Sequence, residues 1–100
     1  MIATLVTFTY NDDFNEEKVR NIAESARPKF ENMPGLRSKA FSYNAEANSA
    51  KNYYVWEDAN AAKNFFTEEN ISNIGNIYGV RPSVEFLEVA TLVDNHSWLT

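Results

Sequence analysis

The chain has 100 residues, a formal net charge of −5, a hydrophobic content of 44% and no cysteine. This length fits a single domain, which we set at residues 1–95, followed by a C-terminal tail at 96–100. The negative charge disfavours binding to nucleic acid or to an anionic membrane surface, because both carry negative charge themselves. The lack of cysteine excludes disulfides, thiolate metal sites and a cysteine nucleophile.

No apolar run approaches the roughly 20 residues that a membrane-spanning helix needs. The first residues, Met1 to Leu5, carry neither a basic segment nor a small-residue cleavage site, so a signal peptide is not expected. We therefore expect a cytoplasmic protein.

The first half of the chain predicts a strand, a helix and a second strand. Residues 2–10 are rich in β-branched and aromatic types, which favour a strand. Asp13 and Glu16 have the spacing of a capping box, and apolar residues then recur every three or four positions up to Met33. Pro28 predicts a kink or an end of this helix, and Pro34-Gly35 predicts a firm stop.

Residues 36–44 predict the second strand, whose alternation places four large side chains on one face: Arg37, Lys39, Phe41 and Tyr43. Residues 45–50 read as a hairpin loop and residues 52–57 as the third strand. Asp58 and Thr67 are suitable N-caps for two further helices, and Gly79 is suited to end the second of them. Residues 83–93 predict the fourth and longest strand.

The order strand, helix, strand, strand, helices, strand predicts an α+β domain of the ferredoxin-like class, a four-stranded antiparallel sheet with helices on one face. Both faces of this sheet are apolar, since Tyr54 and Trp56 alternate with Tyr53 and Val55. The helices cover one face only, so we expect a homodimer that joins the two sheets face to face. The alternative is a monomer whose second face is made polar enough by its threonines: Thr4, Thr7, Thr9 and Thr91.

Metal binding and nucleophilic catalysis have little support in the sequence. The single histidine, His96, lies in the tail, and the carboxylates at Asp12-Asp13 and Glu16-Glu17 are explained by the start of a helix. No G-x-S-x-G motif occurs, and the glycines near residue 75 lack the dinucleotide-binding pattern. We expect no metal site.

The remaining chemical signal is a set of aromatic residues on the middle strands and the helices above them: Tyr43, Tyr53, Tyr54, Trp56, Phe65, Phe66 and Tyr78. Rings with polar tips can stack on a flat aromatic ligand and orient it by hydrogen bonds. Arg37 and Arg81 lie near the ends of elements, and Arg81 could hold an anionic oxygen. The alternative is an aromatic core with an arginine that caps a helix end.

Three segments carry a family resemblance: Asn11-Asp12-Asp13-Phe14 after the first strand, Met33 to Lys39, and Tyr53 to Asp58. They resemble the small dimeric α/β-barrel proteins, and within them the YdhR-like mono-oxygenases, which are relatives of the antibiotic-biosynthesis mono-oxygenases. The resemblance spans roughly residues 2–95, and its motifs specify the fold better than the reaction.

The resemblance implies a pocket between sheet and helices and oxygenation of polycyclic phenols or quinols without metal, flavin or haem. Its candidate catalytic residues are Trp56, Tyr43, Asn44 and Arg81, and its candidate substrate-binding residues are Tyr54, Trp56, Phe65, Phe66, Tyr78 and Arg81. The haem-degrading branch of the superfamily uses a helical histidine, whereas residues 70–76 contain none, so haem is disfavoured. Two other functions stay open: a non-catalytic dimer that binds a small hydrophobic metabolite, and a dimer whose rings fill the core and leave no pocket.

Overall fold

The computed structural model describes residues 1–95 and contains an antiparallel sheet covered by helices. The elements, in chain order, are β1 (Ile2–Thr9), α1 (Glu16–Phe30), β2 (Leu36–Asn44), β3 (Ser49–Trp56), α2 (Ala59–Phe65), α3 (Glu68–Tyr78) and β4 (Ser83–Glu88). The strands are arranged in the order β2-β3-β1-β4. This confirms the predicted ferredoxin-like α+β fold. The predicted tail at 96–100, which includes His96, lies outside the described residues.

β1 lies at the centre of the sheet and pairs with β3 on one side and β4 on the other. Its residues alternate between the two faces, as strand geometry requires. Thr4, Val6 and Phe8 are fully buried on the face that the helices cover. Ala3 and Leu5 point to the opposite face, where Leu5 pairs with Tyr53.

α1 begins two residues later than the sequence predicts, because its N-cap is Asn15 and not Asp13. Asn15 is its N-cap, with Oδ1 accepting a hydrogen bond of 3.0 Å from the backbone N–H of Lys18. The predicted capping box at Asp13 is therefore wrong, because the Asp13 carboxylate accepts instead from the N–H of Asn11 within the preceding turn. Glu16 and Glu17 occupy the first helical turn as predicted.

Pro28 lies in the last turn of α1, and the helix ends at Phe30. The predicted end near this proline is confirmed, since the residues that follow leave the helical conformation at Glu31. Pro34-Gly35 then brings the chain into β2. Gly35 has φ of +83°, and a Cβ at this position would lie 2.8 Å from the Cβ of Ala61. Only glycine fits here, because the backbone is left-handed and passes directly against α2.

The β2–β3 hairpin departs from the prediction in two ways. A bulge at the start of β2 pairs Leu36 with Trp56 but Ser38 with Val55, so Arg37 leaves the face it was predicted to share. β3 begins at Ser49, three residues earlier than predicted, because the connecting turn uses only residues 45–48. Asn48 closes this turn with φ of +51°, a conformation that asparagine tolerates.

The three helix caps predicted in the second half are confirmed. Asp58 accepts from the N–H of Ala61, and Thr67 accepts from the N–H of Asn70. Gly79 ends α3 with φ of +86°.

β4 is the shortest strand and not the longest, so the predicted extent of residues 83–93 is wrong. Its last paired residue, Glu88, lies opposite Ile2, and the N–H of Val89 reaches the carbonyl of Met1 at 3.3 Å. Residues 89–93 do not continue the strand, although their sequence is mostly apolar.

The core lies between the sheet and the helices, and its buried residues are Val6, Phe8, Val19, Ala50, Tyr54, Trp56, Ala62, Phe66 and Tyr78. The opposite face of the sheet presents Tyr53 and Leu87 with 43% and 37% of their surface exposed. No helix within residues 1–95 is both long and apolar enough to cross a membrane.

Candidate functional site

The aromatic side chains above the sheet form a packed cluster beside α2. The Tyr54 and Trp56 rings are stacked with centroids 5.5 Å apart, and Phe66 packs edge-on against Tyr54 at 5.1 Å. The indole Nε1–H of Trp56 donates to Oγ1 of Thr4 at 3.0 Å. Trp56 and Phe66 are 1% and 8% exposed. Both therefore belong to the core, and the indole N–H is already engaged.

A cavity of about 660 Å³ lies under α1, next to this cluster. α1 forms one wall and α3 the other, where Ile74, Ile77 and Tyr78 line the space. The floor comes from the central part of β2 and β3: Lys39, Phe41, Asn52 and Tyr54. Phe65 of α2 closes the end nearest the packed cluster. The cavity has the size and the aromatic lining of a small-molecule site.

A second space of about 880 Å³ lies between α1 and β2 and shares six lining residues with the first. The shared residues are Glu17, Asn21, Lys39, Phe41, Asn52 and Tyr78. The second space carries more charge, with Arg20, Glu24 and Arg27 of α1 around it. The two spaces thus adjoin over one floor, with the apolar part nearer α3 and the charged part nearer Tyr43.

Lys39 is the unusual group of this floor. Its Nζ lies 3.3 Å from the ring centroid of Phe30, 4.0 Å from that of Phe41 and 4.2 Å from that of Tyr54. Within residues 1–95, it has neither an ion pair nor a hydrogen bond. Burial lowers the pKa of Lys39 to about 7, with a smaller contribution from the positive charge of Lys29. A substantial share of Lys39 is therefore a neutral amine at neutral pH.

Two tyrosine hydroxyls belong to the same site. Asn52 donates from Nδ2 to the Tyr78 hydroxyl at 3.1 Å, and the Tyr78 ring stacks on Phe8 at 3.7 Å. The Tyr54 hydroxyl makes no hydrogen bond with the described residues, and it is not sealed from the cavity. Burial raises the pKa of both Tyr54 and Tyr78, so both stay protonated and can donate hydrogen bonds.

The structure gathers some of the candidate residues and separates others. Tyr54, Phe65 and Tyr78 line the cavity. Tyr43 borders the adjoining space, where its hydroxyl donates to Glu16 Oε2 at 3.2 Å.

The other candidates lie elsewhere. Asn44 accepts from the N–H of Ala47 in the hairpin turn, and Tyr53 points to the opposite face of the sheet. Arg81 is exposed and forms an ion pair of 2.8 Å with Glu68, and Arg37 is exposed at the bulge. The part that each candidate plays in catalysis stays a prediction.

Sequence reasoning did not identify Lys39 or Asn52 as site residues. The signal for Lys39 was present, because its strand parity is that of Phe41 and Tyr43, and a lysine on a covered face needs an explanation. Asn52 is an amide in the middle of an aromatic strand, opposite Val6. The sequence signal for both residues was a polar side chain at a strand position that faces the covered side of the sheet. Among residues 1–95, no group of three histidines and carboxylates could hold a metal ion.

Neither a family model nor a curated protein matches the sequence. Solved structures do match the fold. A monooxygenase of Streptomyces coelicolor from the gene ActVA-Orf6, solved in complex with nanaomycin D, has a TM-score of 0.69 at 17% identity over 92% of this chain and 89% of its own.

A proposed antibiotic-biosynthesis monooxygenase of Bordetella bronchiseptica has a TM-score of 0.63 at 18% identity over 90% of this chain and 97% of its own. The protein Rv0793 of Mycobacterium tuberculosis has a TM-score of 0.63 at 13% identity over 94% and 97%. Similarity at these identities shows a shared fold. The fold predicted from the resemblance is thereby confirmed, while the YdhR-like subfamily stays a prediction.

Proposed function

We propose that this chain is a mono-oxygenase that oxidises a flat phenol or quinol in the cavity under α1, without metal, flavin or haem. The observation that carries the proposal is the cavity of about 660 Å³ between aromatic side chains, in which the Tyr54 hydroxyl and the Lys39 amine have no partner among residues 1–95. The monooxygenase names of two structures with the same fold support it.

The reaction suits a protein that supplies only binding and charge stabilisation. A polycyclic phenol that loses its proton becomes electron-rich enough to reduce dioxygen itself. When an activated CH₂ group of such a molecule becomes C=O, the carbon gives up four electrons. One oxygen atom enters the product and the other leaves as water with the two hydrogens. No external reductant is needed.

The cavity offers what this reaction requires. The rings of Phe41 and Phe65 can stack on a flat substrate, and the protonated hydroxyls of Tyr54 and Tyr78 can donate to the oxygen that becomes negative. Trp56 supports the Tyr54 ring from behind by stacking. In this arrangement Trp56 is a positioning residue.

Oxygen uptake with anthrones and polycyclic hydroquinones tests the proposal. We expect uptake above the rate in buffer that persists in the presence of a metal chelator. Tyr54→Phe should lower this rate by about 10²-fold, the usual effect of removing one donor to a developing oxyanion. Tyr53→Phe, which removes a hydroxyl on the opposite face, is the matched control and should retain the rate. Rates equal to those in buffer across the whole panel would contradict the proposal.

The alternative is a non-catalytic protein that binds a small hydrophobic metabolite. It is favoured by the raised pKa values of Tyr54 and Tyr78, which make both residues permanent donors suited to holding a ligand. Binding would quench Trp56 fluorescence through the stacked Tyr54 ring. Nanaomycin D, the ligand of the S. coelicolor structure, is the first compound to titrate. Quenching without oxygen uptake would favour this alternative.

We also propose that two copies associate through the uncovered sheet face. Leu5, Tyr53 and Leu87 share this face, and the latter two are substantially exposed. Exposed apolar patches of this kind mark association sites in soluble proteins.

Tyr53→Lys should shift sedimentation from a dimer towards the 11.4 kDa monomer, because a charge would be buried between the sheets. Ile77→Lys changes an apolar residue that is 58% exposed on α3 and should leave the dimer intact. A wild-type particle of 11.4 kDa at micromolar concentration would contradict the association.

A further inference from the structure

The two spaces share one floor. On this floor, Lys39 is the one ionisable group that has no counter-charge among the described residues. Three rings surround its Nζ within 4.2 Å of their centroids. The ring faces attract an ammonium group, yet they supply no counter-charge and no acceptor. A buried lysine of this kind is usually paired. An unpaired lysine that borders a cavity is suited to pair with an acidic or anionic group of a bound ligand.

The groups that face Lys39 from the surrounding elements leave it without a close carboxylate. α1 contributes Lys29, whose positive charge opposes protonation of Lys39. The other charged α1 residues around the two spaces are Glu16, Glu17, Lys18, Arg20, Glu24 and Arg27. None of these carboxylates lies within ion-pair distance of Lys39. β3 and α3 contribute Tyr54 and Tyr78, which are neutral.

We propose that Lys39 is the acid–base group of the cavity, which accepts the proton of an acidic hydroxyl, a phenol or an enol, and then holds the resulting oxyanion. The ligand O–H bond breaks, an N–H bond forms on Nζ, and the ammonium pairs with the oxygen anion. No other reactant takes part. As the route to oxygenation this step rests on the function proposed above, whereas the proton transfer itself does not need dioxygen.

The energetics of the site favour such a transfer. A substantial fraction of an amine with a pKa of about 7 is unprotonated at neutral pH, and a base is most effective when its pKa lies near the working pH. The ion pair that forms is screened from water by Phe30, Phe41 and Tyr54, which strengthens its attraction. The hydroxyls of Tyr54 and Tyr78 can donate to the same oxygen.

A phenol whose neutral and ionised forms absorb at different wavelengths tests the proposal without any oxygenation. We choose 7-hydroxycoumarin near neutral pH, where the free probe is mostly un-ionised. Wild-type protein should convert it to the phenolate spectrum as it binds. Lys39→Met should lower the phenolate signal at saturation at least 10-fold. A wild-type protein that leaves the probe with its neutral spectrum overturns the proposal.

A second measurement needs no ligand. Acetylation of each lysine, followed by mass spectrometry of its peptide across pH, reports the protonation of each amine. The rate at Lys39 should reach half its maximum near pH 7, well below the ordinary lysine value of 10.5. The exposed Lys63 is measured in the same digest as the reference amine. A Lys39 profile that coincides with that of Lys63 overturns the proposal, even if Lys39→Met fails to fold.

The two proposals can fail separately. Ionisation of the probe without oxygen uptake from anthrones would contradict the oxygenation and support the role of Lys39. Oxygen uptake that continues in Lys39→Met, with no phenolate formed in the wild type, would overturn the role of Lys39 alone.

Discussion

The helix-covered face of the sheet has two regions in which similar residues serve different purposes. Beside α2, the rings of Tyr54, Trp56 and Phe66 pack at 5–6 Å, and the one indole N–H among them is bonded to Thr4. Under α1, equally large side chains surround open space, where Lys39 and the Tyr54 hydroxyl have no partner in the described part of the chain. Composition does not separate the two regions. The difference lies in which side chains contact one another and which border open space.

The residues around each helix differ. α2 lies close to the start of β2, where Gly35 lets the backbone pass against Ala61. Under α1, Lys39, Asn52 and Tyr78 border the cavity instead. The helical layer is thus closely packed beside α2 and open under α1. The region beside α2 contributes to stability, and the region under α1 is suited to bind a ligand.

The sharpest test of this contrast is the cost of removing a ring from each region. Trp56→Ala should lower the free energy of unfolding by about 3–5 kcal/mol, because it empties a fully enclosed volume. Phe41→Ala, in the cavity wall, should cost less, since one side of that ring already borders open space. Urea denaturation measures both. Equal losses would show that the two regions are packed alike.

The next effect is a pH dependence that only the cavity region should show. The pKa of Lys39 is lowered to about 7 in the folded protein from an ordinary 10.5, so the unfolded chain binds more protons between these values. The stability of the wild type relative to Lys39→Met should therefore rise with pH from about 7 to 10.5, by at most about 1.4 kcal/mol per pH unit. Lys63→Met, which removes an exposed lysine of the same charge, is the matched control. A difference that falls with pH would contradict the lowered pKa.

The smallest effect concerns Arg81, which belongs to neither region. Its ion pair with Glu68 is 59% and 72% exposed, and such pairs contribute about 0–1 kcal/mol. Arg81→Gln should leave both the stability and the binding of 7-hydroxycoumarin almost unchanged. A large loss of binding would show that Arg81 reaches the ligand, as the resemblance suggested.

The helix caps in the second half of the chain could be predicted because their signals are local. Asp58, Thr67 and Gly79 act on backbone groups within a few residues, so sequence spacing was sufficient. The failures had distant causes. β4 was predicted too long because its pairing is decided by β1, a partner strand that is distant in the sequence. The bulge at Arg37 likewise depends on its partner strand.

The site was partly predictable for a related reason. The aromatic residues indicate a nonpolar interior. Their number does not predict which rings contact one another and which line a cavity. Tyr54 and Phe65 were identified as pocket residues, whereas Trp56 and Phe66 lie in the core. Lys39 was passed over because a single lysine on a strand ordinarily points to solvent. The ring that covers Lys39 belongs to Phe30 of α1, so the sequence around Lys39 does not predict this contact.

The pairing of β1 also bears on the order in which the protein folds. Ile2 lies opposite Glu88, so the central strand gains its second neighbour only when residues 83–88 have left the ribosome. Until then one edge of β1 is open to other chains during synthesis. The hairpin of β2 and β3 can form earlier, because its contacts are local and close quickly. β4 is therefore the last of the four strands to join the sheet during synthesis.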